Sequence, residues 1–334
     1  MNATISMLIA ALSFSFCPLL YALSLTGASA MTQALYVQIA VTVVASIGLV
    51  GLRRNMSAFI APTKELFKLP WETWTVIILS GVAGYMGTLF FLWSLKYMSE
   101  AGAAIIMESW PILAVFIAPV LMRNHTNRIR LVDVFIIGLI IFGALMINGS
   151  DANMSVGQFI DNPFFMFQDR SFENYIGILC AFMSAFCYAW AGSSRPYFSA
   201  LLPFEYRKKH LSKGAPFFET LYSFWLTCLS AMPIAIVVNI FMDESLLISQ
   251  SNIIISLSLG ICLTIMGCMY AYSLMVSNTS MINLLWYIAP ILATLWLVIF
   301  GYSQITPLFI LGGGLIIGAN LLLVLSSKKK TTDE

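Results

Sequence analysis

Residues Ser94 to Ala114 read SLKYMSEAGAAIIMESWPILA, and 179 positions later Ser273 to Ala293 read SLMVSNTSMINLLWYIAPILA. The opening Ser-Leu and the closing Pro-Ile-Leu-Ala align without a gap. Two shorter echoes lie outside this stretch: Phe16-Cys17 with Phe186-Cys187, and Gly138-Leu-Ile-Ile with Gly314-Leu-Ile-Ile. Self-similarity spread over the chain in this way predicts an internal duplication.

The composition predicts a membrane protein. Of the 334 residues, 60% are hydrophobic and 10% are charged. Apolar runs of about 20 residues recur throughout, and this length spans the hydrocarbon core as an α-helix. The runs are too long and too uniformly apolar for strands of a membrane barrel. We predict ten helices, over residues 6–25, 32–52, 74–95, 101–122, 131–148, 175–192, 217–241, 253–275, 281–301 and 306–325.

The basic residues predict the orientation. With the N-terminus inside, fifteen of the seventeen Lys and Arg residues fall in cytoplasmic loops or in the tail 328–334, whereas Lys96 and Arg170 lie outside. Cytoplasmic loops of membrane proteins are enriched in these residues, and one helix more or fewer would reverse every later loop. We therefore expect an all-α integral protein of the inner (plasma) membrane, with ten transmembrane helices and both termini cytoplasmic.

Several other features are expected to be absent. The net charge of +2 follows from the charge bias of the loops and does not predict a nucleic-acid partner. The six cysteines lie in predicted helices without zinc-ligand spacing, so we predict no disulfide, metal or cofactor. The first apolar run lacks a basic n-region and is predicted to be a helix rather than a cleaved signal peptide.

The duplication also points to a class of function. Five helices are an odd number of crossings, so the second copy enters the bilayer from the opposite side and the two halves form inverted repeats. Inverted repeats recur in secondary transporters, in which two near-equivalent shapes open alternately around a central site. Duplicated helices also build channels and scaffolding bundles, and those alternatives stay open at this point.

The stretches Phe90 to Leu121 and Tyr270 to Phe300 resemble the EamA-type repeat of the drug/metabolite transporter superfamily. Each has an aromatic-rich helix, a short polar turn and a proline midway along the next helix. The resemblance implies repeats at 1–150 and 175–327, joined by an outer loop at 151–174, in a carrier that moves small organic solutes, commonly outward. The Trp110-Pro111 pair is similar, more narrowly, to bacterial exporters of aromatic amino acids.

Glu108 is the leading candidate for a solute contact. It is the one acidic residue deep within a predicted span, about 10 Å from the outer boundary at a helical rise of ~1.5 Å per residue. A charge there costs about 2.5 kcal/mol or more, so it should face a wet cavity or a partner. We expect it to bind a substrate ammonium group or a coupling proton; a protonated side chain packed on a neighbouring helix is the structural alternative. The 179-residue offset places Tyr287 at the equivalent position, on a face with Asn283.

Aromatic residues are the second set of candidates, because aromatic walls hold flat solutes or, beside a carboxylate, organic cations. The predicted substrate-binding set is completed by Trp110, Tyr85, Tyr188 and Trp286. Pro111 and Pro290 occupy equivalent places in the two copies and are predicted to kink their helices as paired hinges. Pro18 is expected to kink the first helix.

Two further expectations concern packing and loops. The small-residue spacings Gly314-x-x-x-Gly318 and Ala83-x-x-x-Gly87 predict close helix contacts, within the chain or in a homodimer. We expect the long outer segment 148–174 to be a loosely ordered insert rather than a cap over the outer mouth.

The sequence thus favours a secondary active transporter that exports small organic metabolites, especially aromatic or amino-containing solutes such as amino acids, or drugs. The alternatives are an importer of an organic cation such as choline, and a channel. An enzyme is not expected, since neither histidine lies in a span and there is no Gly-x-Ser-x-Gly, His-Glu-x-x-His or phosphate-binding glycine loop.

Overall fold

The computed structural model describes residues 2–53, 69–110, 113–114, 117, 131–151, 153–162, 172–201, 216–242, 245–276, 285–286 and 288–328. Throughout these ranges the regular structure is helical. The helices are α1 Ala3–Ser15, α2 Cys17–Ser24, α3 Ala30–Arg53, α4 Trp71–Ser94, α5 Glu100–Met107, α6 Leu131–Asp151, α7 Val156–Asp161, α8 Phe172–Leu201, α9 Pro216–Phe241, α10 Gln250–Val276, α11 Ile288–Ile299 and α12 Pro307–Lys328.

Within the described part of the chain, six helical segments are long and apolar enough to cross a membrane: Ala3–Ser24, Ala30–Leu52, Trp71–Ser94, Tyr175–Ser194, Phe217–Phe241 and Gln250–Val276. Large apolar side chains point away from the protein on these helices, as at Ile47 and Leu179, which are 66% and 61% exposed. In water such surfaces would be unfavourable, whereas in lipid they meet an apolar solvent. The chain is therefore a membrane-embedded, all-helical protein.

Two of the predicted helices are interrupted. The first is divided at Phe16, two residues before Pro18, which agrees with the irregularity expected from this proline. The predicted continuous helix 101–122 is wrong, because α5 ends at Met107 and Glu108 and Ser109 form a turn. The sequence supplies the reason: Pro111 has no N–H to donate to the Met107 carbonyl, so the regular bonding ends there.

Helices from the two halves of the chain pack on each other. The most extensive contacts join α8 with α4, α12 with α6, α1 with α10, and α3 with both α9 and α10. The largest hydrophobic core follows these interfaces through the centre of the bundle, with Phe14, Ile77 and Leu259 among its fully buried members. The centre of the protein is thus built from both halves rather than from each half alone.

Glycines allow three pairs of helices to approach closely: α4 with α9, α3 with α10, and α6 with α12. A Cβ atom at Gly81 of α4 would collide with the Thr227 carbonyl of α9, and one at Gly260 of α10 would lie 2.8 Å from the Ala40 carbonyl carbon of α3. The third close contact is reciprocal: a Cβ atom at Gly143 would lie 2.7 Å from the Gly312 carbonyl oxygen, and one at Gly312 would lie 2.6 Å from that of Gly143.

The two predicted small-residue motifs differ in outcome. A Cβ atom at Gly87 would lie 3.3 Å from Cys187 and from the Tyr188 ring, so the prediction of a close helix contact is confirmed there. Nothing described lies within 4 Å of such an atom at Gly314 or Gly318, so the expected contact within the chain is not found. Gly312, two residues before the motif, makes the contact of this helix instead.

The expected loose insert is wrong for residues 153–162. Helix α6 continues to Asp151, and α7 begins with a capping box between Ser155 and Gln158. Phe159 is fully buried and forms a small separate core with Met146 and Leu308. A helix of six residues therefore fastens this part of the 148–174 segment against α6 and α12.

Candidate functional site

A cavity lies at the centre of the bundle. Its empty volume is about 720 Å³, part of which is open to solvent. All six long apolar segments contribute to its wall, together with Trp110 from the turn after α5. Its wall combines aromatic residues with weakly polar ones: Phe14, Trp110, Tyr188 and Tyr270 line it together with Gln38, Ser80 and Thr88, among other residues.

Trp286 is the hub of an aromatic cluster at one end of this cavity. Its ring centroid lies 5.3 Å from that of Phe14, 5.4 Å from that of Trp110 and 5.1 Å from that of Tyr270. Trp110 and Tyr270 also meet edge to face at 5.2 Å. Such pairs stabilise by about 0.5–1.5 kcal/mol beyond the burial of their surface. The cluster therefore joins α1, α10 and the segments around α5 and α11 at one point.

Glu108 lies behind this cluster and does not line the cavity. Its side chain is 1% exposed, and neither carboxyl oxygen has a hydrogen-bond partner among the described residues. Trp286 lies beside it, with the indole N–H directed near the carboxyl group but outside hydrogen-bond geometry. A buried polar group without a partner costs about 1–3 kcal/mol. Packing alone therefore gives no reason for an acid at this position.

A chain of three hydroxyl groups lies at the wall of the cavity. Thr88 Oγ1 lies 3.0 Å from the Tyr188 hydroxyl and 3.5 Å from the Tyr21 hydroxyl. Thr88 and Tyr188 line the cavity, whereas Tyr21 is buried behind them. Because each hydroxyl can donate and accept, the Thr88–Tyr188 pair can bond a solute group of either kind.

Gln38 is the polar residue that the sequence analysis missed. It lies on α3 and lines the cavity, and its Nε2 donates to the Cys228 carbonyl at 2.7 Å. Its Oε1 accepts no hydrogen bond from the described residues. A glutamine within an otherwise apolar span is itself a signal, since polar groups in membrane helices face the interior of the bundle. Nothing in the local sequence, however, distinguishes Gln38 from Gln33, which bonds Ser256 at 3.0 Å and does not line the cavity.

The structure divides the predicted site residues into three groups. Trp110 and Tyr188 line the cavity, and Trp286 and Glu108 lie together behind the aromatic wall. Tyr85 is fully buried beside Asn239 and does not line the cavity. Tyr287, Asn283 and Pro111 lie outside the described residues.

Pro290 differs from the expected mid-helix kink, because α11 begins only two residues before it, at Ile288. Proline suits the first turn of a helix, where its missing N–H would have no intrahelical partner. Its carbonyl accepts a hydrogen bond from the side-chain hydroxyl of Thr294, with Oγ1 at 2.9 Å. Pro290 therefore lies in the first turn of the helix, and its hinge role stays a prediction.

Comparison with known proteins defines the fold but not a family. No family model matches the sequence, and no curated protein matches it either. A solved structure, described only as a crystal structure of a protein, superposes with a TM-score of 0.60 at 19% sequence identity, covering 98% of each chain. The arrangement of helices is thus one that an experimentally solved protein also adopts over its whole length.

Proposed function

We propose that the chain is a secondary active transporter of the drug/metabolite superfamily, with ten helices in two inverted EamA-type repeats. In this proposal it lies in the inner membrane with both termini cytoplasmic and exports small aromatic or amino-containing metabolites by alternating access. The observation that carries the proposal is a buried acid, Glu108, that has no hydrogen-bond partner among the described residues and lies beside a central cavity that helices of both halves enclose.

The pattern of helix contacts supports the inverted repeat. If α1–α6 and α8–α12 are two copies, the contact of α4 with α8 corresponds to that of α10 with α1. The contact of α3 with α10 corresponds to that of α9 with α4, and the pairs α3–α9 and α6–α12 correspond to themselves. A twofold axis in the membrane plane would relate the contacts in this way.

A helix end in each half also corresponds. The 179-residue offset aligns Met107, where α5 ends, with Trp286, two residues before α11 begins. Discontinuous helices near the midplane are where many transporters bind substrate and coupling ion, because the broken backbone leaves polar groups free. Here the end of α5 and the start of α11 adjoin the Glu108–Trp286 contact, which favours this place for coupling.

Glu108 would act by moving between a shielded state and a state exposed to the cavity. In the described conformation it is shielded, so it is suited to hold a proton as a neutral acid. Movement of Trp110 and Trp286 would expose it to the cavity, where it could release the proton or bind an amino group. Pro111 and Pro290, one beside each break, are the proposed hinges, and Tyr287 and Asn283 remain proposed members of the site.

Counterflow in proteoliposomes tests the proposal. The wild-type protein should show saturable, pH-dependent counterflow of a small aromatic metabolite, and Glu108→Gln should lose the pH dependence while keeping the fold. Glu72→Gln is the matched control, since Glu72 is an exposed acid at the start of α4. Unchanged pH dependence in Glu108→Gln would remove the role given to Glu108. Flux without saturation or counterflow would indicate a channel instead.

A further inference from the structure

The residues that line the central cavity indicate which class of solute it binds. None of its described lining residues bears a charged side chain, and Glu108 is separated from it by the aromatic cluster. An organic cation entering this conformation would lose water without gaining a carboxylate, and desolvating an unpaired charge is costly. Aromatic faces offer a cation partial compensation. In this cluster, however, Trp110, Tyr270 and Trp286 already meet edge to face.

The polar side of the cavity offers paired donors and acceptors instead. One Nε2 proton of Gln38 is used by the Cys228 carbonyl, which leaves the second proton and Oε1 for a solute. The Thr88–Tyr188 pair adds a hydroxyl that is already oriented by its 3.0 Å contact. A primary amide side chain both donates and accepts, so it complements a neutral group that does the same.

We propose that the cavity recognises a flat aromatic solute carrying an uncharged amide or hydroxyl group, and that Gln38 determines this specificity with support from Thr88 and Tyr188. The inference rests on the proposed transport function and deepens it, because it favours neutral aromatic metabolites over the organic cations that the sequence left open. Phe14, Trp110 and Tyr270 supply the surfaces against which the ring packs.

Binding to the purified full-length protein in detergent tests this specificity without requiring transport. Three probes share one ring: indole-3-acetamide, 3-isobutylindole, which has a similar shape without the amide, and N,N,N-trimethyltryptammonium, a permanent cation. Isothermal titration should show the cation binding at least about ten-fold more weakly than the amide, the factor expected for an uncompensated buried charge or a lost hydrogen bond.

The variant Gln38→Leu should weaken indole-3-acetamide about ten-fold and change 3-isobutylindole less than about two-fold, since the isostere never used the amide. Gln33→Leu is the matched control on the same helix and should leave the ratio of the two affinities unchanged. Two variants test the idea further if Gln38→Leu folds poorly. Tyr188→Phe should weaken the amide selectively, and Gln38→Glu should shift preference toward the cation.

The proposal is overturned if the cation binds as tightly as the amide, if Gln38→Leu weakens both neutral probes equally, or if none of the three probes binds. These outcomes are distinct from failure of the transport proposal. Selective amide binding without counterflow would leave this specificity intact and remove the carrier mechanism. Counterflow of cations alone would support the carrier mechanism and overturn this specificity.

Discussion

The segments that begin with α4 and with α10 share their scaffold. Gly81 and Gly260, 179 positions apart, each lie where their helix crosses a helix of the other half. Ser94 Oγ donates to the Phe91 carbonyl at 2.6 Å, and the aligned Ser273 Oγ donates to the Tyr270 carbonyl at 2.7 Å. In each segment a proline also lies close to a helix boundary: Pro111 follows the end of α5, and Pro290 lies in the first turn of α11. The related positions are therefore those that set backbone geometry.

The same two segments differ in the chemistry that they bring to the centre. The first supplies Glu108, an acid that bonds none of the described residues, and the second supplies Trp286, the hub of the aromatic cluster. The two meet at the end of the cavity. The comparison shows how one backbone plan, used twice, can give a site with two unlike sides: packing constrains the crossings, whereas residues at the breaks are free to differ.

The largest effect is expected at the aromatic hub. Trp286→Ala should lower the free energy of unfolding by about 3–5 kcal/mol, because a fully buried ring with three aromatic neighbours leaves a cavity. The melting temperature in detergent measures this loss. Trp71→Ala is the control, since Trp71 is 76% exposed and should change little. Equal effects at both tryptophans would mean that the cluster is not a packed unit.

The next largest losses of stability are expected at the glycines where helices cross, and they test the shared scaffold. Gly81→Ala and Gly260→Ala should each destabilise by about 1–3 kcal/mol through overpacking, with the larger loss at Gly81 because its methyl group would come closer to the Thr227 carbonyl than that at position 260 would come to the Ala40 carbonyl. Melting temperatures of the two variants are compared with that of Gly314→Ala, which has open space around it. A neutral Gly260→Ala would break the parallel between the two segments.

The hydroxyl pair tests a difference between the segments, because the 179-residue offset aligns Thr88 with Gly267, which has no hydroxyl. A double-mutant cycle with Thr88→Val and Tyr188→Phe should give a coupling energy of about 1 kcal/mol, the net value of one buried hydrogen bond. Chemical or thermal unfolding in detergent measures the four proteins. Additive losses would show that the 3.0 Å contact contributes nothing.

The smallest effect is expected where the segments agree most closely. Ser94→Ala and Ser273→Ala each remove a local bond to a carbonyl that keeps its helical position, so each should cost about 0.5 kcal/mol. The two melting temperatures should agree within error, and Ser258→Ala, at an exposed serine with a comparable local bond, is the reference. A loss at Ser273 well above that at Ser94 would indicate that its weak contact with Met7 Sδ, at 3.8 Å, matters.

Local sequence predicted the elements better than the site. The spans at 30–53, 71–94, 216–241 and 250–276 lie within about three residues of their predicted bounds, because a long apolar run has one stable conformation in lipid. Pro111 predicted a kink in this span, but the end of the regular helix at Met107 was not predicted. A proline removes the hydrogen bond to the carbonyl four positions earlier, so the helix can end before the proline itself. A search for continuous apolar runs does not take this into account.

The candidate site depended on contacts that no window of sequence contains. Glu108 was found because an acid among apolar residues is conspicuous, and Trp110 and Tyr188 because aromatic residues are. Gln38 was missed, and Tyr85 was placed in the site although it does not line the cavity. Which face of a helix meets the cavity depends on six helices at once, and the small rotations that decide it are set by packing.

The sequence by itself determined that this chain is an all-helical protein for a membrane, because hydrophobic length and the need to satisfy backbone hydrogen bonds act on each segment separately. The tertiary structure decided that Glu108 lies behind Trp286 and that Gln38 faces an open cavity. Those positions arise where helices from distant parts of the chain cross, and close packing, which acts across residues far apart in sequence, fixes them.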